Sequence, residues 1–285
     1  MEILNKRSFK EKLMKFIMLG SLFIVLGSLF IIISLIVING ATSLSIEMIT
    51  QTPTGGYYLG KGGGILNAIV GSLILAIPAT IIAYFIGLGI ALYLQREMSN
   101  PKIAGFIRLS LDILWGIPSI IYGIFCLIIM IIIGIGTSVI AGIFALTLLE
   151  LPIITRCIDE SIGMVPFVLK EGAYSLGSTK FETAVKVVRK QALPGIIAGV
   201  LLGLGRGIGD AASILFTAGF SDRIPTSLFD STASLPTMIF HLYSSPIPLV
   251  RQRAYAAAFL LLIIVLLISI ISRFLTRRYT KHVIV

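Results

Sequence analysis

Charged residues are scarce in this chain. Only 13% of its 285 residues are Asp, Glu, Lys or Arg, whereas 56% are hydrophobic. A soluble domain of this length needs a larger polar surface, so the composition excludes an ordinary soluble protein. Long apolar runs without charges are instead typical of helices that cross a membrane.

Residues that build disulfides, metal sites and nucleophilic active sites are also few. The two cysteines, Cys126 and Cys157, lie in or just beyond apolar runs, which indicates reduced thiols rather than a disulfide framework. The two histidines, His241 and His282, stand alone, so we predict no metal site and no catalytic residues. The chain contains no Gly-rich phosphate-binding loop of the Walker type, so we expect no cofactor in it.

Six segments are long and apolar enough to cross a membrane as helices, which takes about 20 residues each. They comprise residues 16–38, 65–94, 109–133, 137–156, 194–219 and 254–274. We therefore predict an all-α membrane protein with six transmembrane helices. Only a Gly-rich tetrapeptide separates the third segment from the fourth, so that boundary stays open. The first segment is too long for a signal peptide and no cleavage motif follows it, which indicates a retained anchor.

Basic residues are concentrated on alternate connections between these spans. Eighteen of the 23 Lys and Arg residues fall before the first span, in the second and fourth connections, or at the C-terminal end, and four fall in 39–64 and 220–253. By the positive-inside rule, both termini are cytoplasmic. We predict a cytoplasmic segment 1–15, a transmembrane domain 16–274 with a cytoplasmic loop 157–193, and a cytoplasmic tail 275–285. Charge distributed in this way sets topology and argues against nucleic acid as a partner.

The loop 157–193 reads as two short helices. The first is predicted to run from Phe167 to Leu176 and to end at Gly177, a residue suited to a helix C-cap. Ser178 or Thr179 can then cap a second helix, and a proline begins the next span. A compact helical loop with polar and apolar faces is suited to docking on another protein.

One segment of this loop resembles the E-A-A-x-x-x-G loop of the permease subunits of ATP-binding-cassette (ABC) importers. In that family the loop forms a coupling helix that sits in a groove on the ATPase subunit. Here Arg189-Lys190 stands where Leu-Pro is usual, but a second Leu-Pro follows at Leu193-Pro194, as is common in the phosphate-transport branch. The usual first Ala of the motif is a glycine. The matching residues are Glu171, Gly172, Ala173, Tyr174, Ser175, Leu176 and Gly177.

Other segments are similar to the same phosphate-transport branch, over roughly residues 60–245. They include 62–73, 116–123 (GIPSIIYG), 151–156 (LPIITR) and 207–210 (GIGD). The resemblance implies the type I ABC importer permease fold in a bacterial or archaeal cytoplasmic membrane. It also implies four partners: membrane lipid, an ABC ATPase subunit that holds ATP and Mg, a homologous second permease subunit, and an extracytoplasmic phosphate-binding protein.

Arg206 and Asp210 are the ionisable residues well inside the fifth predicted span. A charge at membrane depth costs roughly 2.5–3.5 kcal/mol on insertion scales and usually has a partner and a function. A spacing of four residues places both on one helix face, where they can form an ion pair. Either Arg206 meets an anion in the substrate pathway while Asp210 holds it, or the pair connects two helices. We favour the pathway, and we expect Pro118 and Ser119 to line it where the proline kinks the third span.

The same span carries a stripe of small residues at every fourth position. Such a stripe allows close approach to another helix, either of this chain or of a partner permease. The stripe consists of Gly195, Gly199, Gly203, Gly207 and Ala211.

Two acidic residues, Asp112 and Glu150, lie close to the predicted cytoplasmic ends of their spans. This position indicates solvated, interfacial residues.

The function predicted from these observations is a permease subunit for inorganic phosphate that works by alternating access. A permease for another oxyanion, such as molybdate or sulfate, is the alternative within transport, because an arginine suits any of them. An integral membrane enzyme is the alternative from a different class. It would need converging carboxylates or a metal site, whereas the adjacent Asp159 and Glu160 diverge on a helix.

Overall fold

The computed structural model describes residues 2–53, 55, 62–95 and 98–280, with side chains from residue 10 onward. Every regular element in these ranges is helical, so the all-α prediction is confirmed. Some residues used in the charge count and the histidine argument lie outside the described residues, namely Lys61, Arg96, Lys281 and His282.

The described ranges contain twelve α-helices and one π-helix. Helices α1 to α6 are Glu2–Ser43, Ile46–Thr50, Leu66–Tyr93, Pro101–Gly116, Ser119–Ile133 and Val139–Gly163. Helices α7 to α12 are Phe167–Ser175, Lys180–Glu182, Arg189–Gln191, Leu193–Gly209, Leu235–Tyr243 and Pro248–Thr280. The π-helix, Thr183–Val188, lies between α8 and α9.

Four helices in the described ranges are long and apolar enough to cross a membrane alone: α1 from residue 10 onward, α3, α6 and α12. Two pairs of shorter helices meet the same requirement together. The pair α4 and α5 is bent by 99°, and the segment 180–191 meets α10 at 73°. By length and composition, the described part of the chain therefore has four helices that could span a membrane, or up to six spans if each bent pair is one span.

The predicted third span, 109–133, is broken by its proline. Ile117 is extended (φ −72°, ψ 131°), because the ring of Pro118 disfavours helical backbone in the residue before it. The hydroxyl of Tyr122 donates a hydrogen bond to the carbonyl oxygen of Leu114 at 2.8 Å, which connects the two sides of the bend. The break is therefore a sharp, internally bonded corner rather than a mild kink.

The open boundary between the third and fourth spans lies at residues 134–138. Gly134 ends α5 in the left-handed conformation (φ 81°), which a residue without a Cβ adopts at little cost. Ser138 then caps α6, where its hydroxyl oxygen accepts a hydrogen bond from the N–H of Ala141. A glycine stop followed by a serine start makes two separate helices here.

The predicted fifth span, 194–219, is α-helical only in its first part. Helix α10 ends at Gly209, and Asp210 is extended (φ −84°, ψ 125°). The side chain of Asp210 accepts hydrogen bonds from the backbone N–H and the hydroxyl of Ser213, at 2.8 and 2.6 Å. Because this carboxylate organises a new turn, the helix does not continue through it, and residues 212–218 form turns.

Helices α3 and α6 form the centre of the fold. Ala76, Ala79 and Ala83 of α3 are completely buried, and Gly87 closely approaches Thr155 of α6. Small side chains allow the two backbones to come close, which is the usual basis of helix packing in membranes. This pair is the surface on which α10 packs.

Helix α10 contacts α6 of the same chain through the glycine stripe. A methyl group on any of the four glycines would overlap the α6 side chain opposite it. The residue numbers rise along α10 and fall along α6, so the two helices are antiparallel. The contacts pair Gly195 with Ser161, Gly199 with Cys157, Gly203 with Ile154, and Gly207 with Glu150.

Candidate functional site

Arg206 and Asp210 lie where α10 ends. Nη2 of Arg206 is 3.7 Å from Oδ1 of Asp210, and the exposed fractions of the two side chains are 51% and 4%. The carboxylate of Asp210 is buried, and the hydrogen bonds that it accepts from Ser213 fix it in place. The guanidinium of Arg206 has five N–H donors and remains half exposed, so it retains donors for a further ligand.

The space beside Arg206 is a cavity of about 530 Å³ between α10 and α12. Its lining is mainly apolar or small, and Arg206 supplies the one charge in it. A cation in apolar surroundings interacts more strongly with an anion than it would in water. The other lining residues are Ala198, Leu201, Leu202, Gly205, Val265, Ile268, Ser269 and Ser272.

Pro118 and Ser119 lie at the corner between α4 and α5, where Pro118 is exposed and Ser119 is half buried. One turn further along, Gly123 approaches the carbonyl oxygens of Ala212 and Ser213 so closely that a Cβ would not fit. Since Ser213 also binds the carboxylate of Asp210, the corner and the charged pair are connected through that residue. Among the described residues, no hydrogen bond or ion pair joins Ser119 directly to Arg206.

Glu150 is the residue that the sequence interpretation placed wrongly. Instead of lying at a solvated interface, its side chain is completely buried where α3, α6 and α10 meet. The hydroxyl of Thr80 donates a hydrogen bond to Oε2 at 2.6 Å. The other oxygen, Oε1, has no hydrogen-bond partner in the described part of the chain and lies against Gly207. The glycine stripe was the available signal, because a helix surface without Cβ atoms leaves room for a buried carboxyl group.

A second charged cluster connects α4 to α6. Asp159 is 5% exposed and accepts hydrogen bonds from Nε and Nη2 of Arg108 at 2.7 and 2.9 Å, and from Arg156 at 3.2 Å. Arg156 also contacts the exposed Asp112 at 2.7 Å. Both oxygens of Asp159 are therefore bound by arginines, and its exposed neighbour Glu160 lies 3.6 Å from Nη2 of Arg156. Sequence reasoning missed this cluster, since Arg108 and Asp112 of α4 are far along the chain from Arg156 and Asp159 of α6.

The segment that resembles the coupling loop forms the C-terminal half of α7 and its cap. Gly177 is left-handed (φ 82°), and its N–H donates to the carbonyl oxygen of Tyr174 at 2.9 Å. The N–H of Ser178 donates to the carbonyl oxygen of Ala173 at 3.1 Å, which completes a glycine C-cap. The predicted helix end at Gly177 is therefore confirmed.

One face of α7 is attached to the body of the protein and the other is exposed. On the attached face, Nζ of the buried Lys170 donates to Oε1 of Gln95 at 3.1 Å, and Ala173 is buried as well. On the outer face, Leu176 is 88% exposed and Val168 is also exposed. The remaining residues of the segment, Glu171, Gly172, Ser175 and Gly177, are exposed, and Tyr174 is half buried.

The second helix of the loop begins with a reciprocal cap. Thr179, one of the two predicted caps, accepts a hydrogen bond from the N–H of Glu182, and the carboxylate of Glu182 accepts one from the N–H of Thr179. Hydrogen bonds from the Thr179 N–H, from Lys186 and from the Thr179 hydroxyl lower the pKa of Glu182 to about 2. The carboxylate is therefore charged at neutral pH and holds the beginning of the helix.

These features define a multi-span helical membrane protein with a charged pair at the end of one span and a protruding helical loop. The family described as "Binding-protein-dependent transport system inner membrane component" matches residues 83–283. The chain belongs to this family.

Relatives of known name and a solved structure agree with this assignment. The chain is 31% identical to the probable ABC transporter permease protein YqgI of Bacillus subtilis (strain 168), over 87% of this chain and 89% of that protein. It is 39% identical to the phosphate transport system permease protein PstA of Mycobacterium leprae (strain TN), over 76% of this chain and 72% of that protein. A chain of the MetNI methionine ABC transporter in an inward-facing conformation matches with a TM-score of 0.62 and 21% identity, over 76% of this chain and 96% of that one. The fold is therefore that of a type I ABC importer permease.

Proposed function

We propose that this chain is a permease subunit of an ABC importer for inorganic phosphate. The observation that carries the proposal is the half-exposed guanidinium of Arg206, held by the buried Asp210 beside an otherwise uncharged cavity. A fixed cation in apolar surroundings suits an oxyanion, and a relative with 39% identity is named a phosphate transport permease. Because an arginine suits any oxyanion, the choice of phosphate over molybdate or sulfate rests on that relative.

The energy for transport comes from a separate ATPase subunit, which carries ATP and Mg. In this proposal, the chain is not itself an enzyme. The outer face of the loop supports the docking of that subunit, because apolar side chains exposed to water are the usual mark of an interaction surface. They are Met164, Phe167, Val168, Leu176 and Phe181.

Transport proceeds by alternating access, in which helices move as packed units. Lys170 attaches α7 to Gln95, just beyond the end of α3, and Gly207 attaches α10 to Glu150 of α6. A movement of the ATPase at α7 would therefore reach α3, then α6, and finally the helix that carries Arg206. This route gives the coupling helix a physical connection to the proposed anion site.

The remaining partners follow from the same proposal. A second, homologous permease subunit would complete the pathway, and a phosphate-binding protein would deliver the anion on the extracytoplasmic side. Exposed apolar residues in the predicted extracytoplasmic region, among them Leu228, Phe229 and Leu249, support such a docking surface. Both termini lie in the cytoplasm in this proposal, which the distribution of basic residues supports. The resemblance to the importer permeases supports a bacterial or archaeal cell.

The test is ATP-dependent uptake of radiolabelled phosphate into vesicles that contain the assembled transporter. We expect uptake to persist in an excess of molybdate or sulfate. Strong competition by either anion, or an intact complex that hydrolyses ATP without taking up phosphate, would retain the importer and reject phosphate as its substrate. If the chain bound no ATPase even together with a second permease subunit, the importer itself would be rejected.

A further inference from the structure

A polar cavity lies at the opposite end of α12 from the tail, where α12 begins beside the end of α1. Its volume is about 350 Å³. It is distinct from the proposed anion site, because Arg251 here and Ser269 at the Arg206 cavity are separated along α12 by roughly 27 Å at the rise of an α-helix. Its lining residues are Asn39, Thr42, Ser43, Pro248, Arg251, Gln252 and Tyr255.

The chemistry of the lining suits an anion. Arg251 is exposed and forms no ion pair with any described residue, and the lining contains no carboxylate. The side chains of Gln252 and Tyr255 make no hydrogen bond within the described part of the chain, so their donors are available to a ligand. The hydroxyls of Thr42 and Ser43 already donate to carbonyl oxygens of α1. The guanidinium of Arg251, the amide of Gln252 and the phenol hydroxyl of Tyr255 thus remain as donors for a group such as phosphate.

The position of the cavity indicates where that group comes from. The first predicted span ends at residue 38 and the sixth begins at residue 254, so the lining residues lie at the membrane boundary on the extracytoplasmic side. Immediately inside this boundary, Leu35 and Ile38 of α1 are exposed apolar residues. A ligand with a phosphate group and acyl chains fits both parts, because a phosphate group can pair with the guanidinium of Arg251 while its acyl chains lie along the exposed apolar side chains.

We propose that this cavity binds the headgroup phosphate of an anionic phospholipid. Arg251 pairs with the phosphate, while Gln252 and Tyr255 donate hydrogen bonds to it. The lipid connects α1 to α12 beside the close approach of the two helices at Gly40, against Tyr255 and Phe259, whereas the apolar part of α1 buries none of its side chains. This site does not depend on which anion the protein transports.

The test uses the assembled transporter in detergent, with defined phospholipids added back and bound lipid measured by native mass spectrometry. We expect phosphatidylglycerol to bind to the wild type, and R251A to weaken that binding at least tenfold, with a smaller loss in Y255F, which removes only the hydroxyl. R223A is the matched control, because Arg223 is an exposed arginine in the same predicted extracytoplasmic region. It should bind lipid like the wild type.

Several outcomes would overturn the proposal. Equal binding in R251A and the wild type would show that no headgroup site exists here. Displacement of the lipid by millimolar inorganic phosphate alone would assign the cavity to the free anion instead. If R251A bound lipid like the wild type but its ATP hydrolysis were no longer stimulated by the binding protein, the cavity would be a protein-docking surface. Size-exclusion profiles of R251A and Y255F that match the wild type exclude misfolding as the cause of any loss.

Discussion

The carboxyl group of Glu150 lies against Gly207, in the space where any other residue would place its side chain. This contact joins α6 to α10, the helix that carries Arg206. Arg206 directly precedes Gly207 in the sequence. An intramembrane carboxyl group is costly unless the surrounding structure accommodates it. Here Thr80 and the bare surface of α10 provide that accommodation, so the three helices meet at one polar point.

The first prediction concerns Gly207. In G207A the new methyl group overlaps the carboxyl group of Glu150, and overpacking of this kind costs about 1–3 kcal/mol. We expect a lower unfolding temperature in detergent, measured by scanning fluorimetry. G209A is the matched control on the same helix, because a Cβ at Gly209 meets nothing within 4 Å.

The double variant E150A/G207A tests whether the loss of stability in G207A comes from overlap of its methyl group with the carboxyl group of Glu150. The alternative is that alanine at this position of α10 is destabilising for another reason. Removal of the carboxyl group makes room for the methyl group, so this variant should be more stable than the sum of the two single changes predicts. Strict additivity would contradict direct contact between the two positions.

The second prediction concerns Thr80. Its hydroxyl is the hydrogen-bond donor to Glu150 among the described residues, at 2.6 Å. T80V keeps the shape of the side chain but leaves the buried carboxyl group without that donor, which costs about 1–3 kcal/mol. Chemical unfolding in mixed micelles would measure the loss. In the background of E150L the same change should cost much less, and an equal cost in both backgrounds would argue against the bond.

The third prediction concerns the cap of the coupling loop. Gly177 has a positive φ, and a β-branched residue there costs roughly 1–2 kcal/mol. We expect G177V to distort the end of α7, together with the exposed Leu176, and to abolish co-purification with the ATPase subunit. G172A is the control, because Gly172 faces open space and has no positive φ. Normal ATPase binding by G177V would remove this loop from the docking surface.

The fourth prediction is a pH dependence at the second helix of the loop. The pKa of Glu182 falls from 4.5 to about 2 in the folded protein. A lowered pKa means that the carboxylate stabilises the fold above the unfolded value and loses this effect as pH falls from about 4.5 through 2. Hydrogen exchange of the Thr179 and Glu182 amides, corrected for intrinsic rates, should therefore rise below pH 4.5. E182Q should show weaker protection than the wild type above pH 4.5 and should not lose protection on acidification through this carboxylate. A pH profile in E182Q identical to that of the wild type would contradict the role of the carboxylate.

The parts of this protein that could be predicted from the sequence depend on composition or on local chemistry. Membrane-compatible apolar runs are visible as such, and the cap at Gly177 follows from one residue with special backbone freedom. Residues 171–177 and 207–210 resemble segments of ABC importer permeases, so they indicate the family to which the chain belongs. The pairing of Arg206 with Asp210 also follows from helical spacing, although the helix ends where the pair forms.

The parts that could not be predicted depend on contacts between distant segments. Glu150 looked interfacial from its place in the chain, and only the position of α10 against α6 buries it. The proline at 118 predicted a kink, but the 99° angle depends on how α5 packs against the turn after α10. Helix α10 ends early because Asp210 binds Ser213, a competition between side chain and backbone that apolar content does not reveal.

The central claim is that Arg206 meets the transported anion, and one measurement tests it most directly. Phosphate uptake and ATP hydrolysis should be measured together on vesicles that contain assembled wild-type or R206A transporter, with R223A as the control for loss of an arginine elsewhere. We predict that R206A retains ATPase binding and hydrolysis but loses phosphate uptake at least tenfold, while R223A keeps both. Wild-type phosphate uptake by R206A would contradict the account and leave the Arg206–Asp210 pair a connection between structural elements.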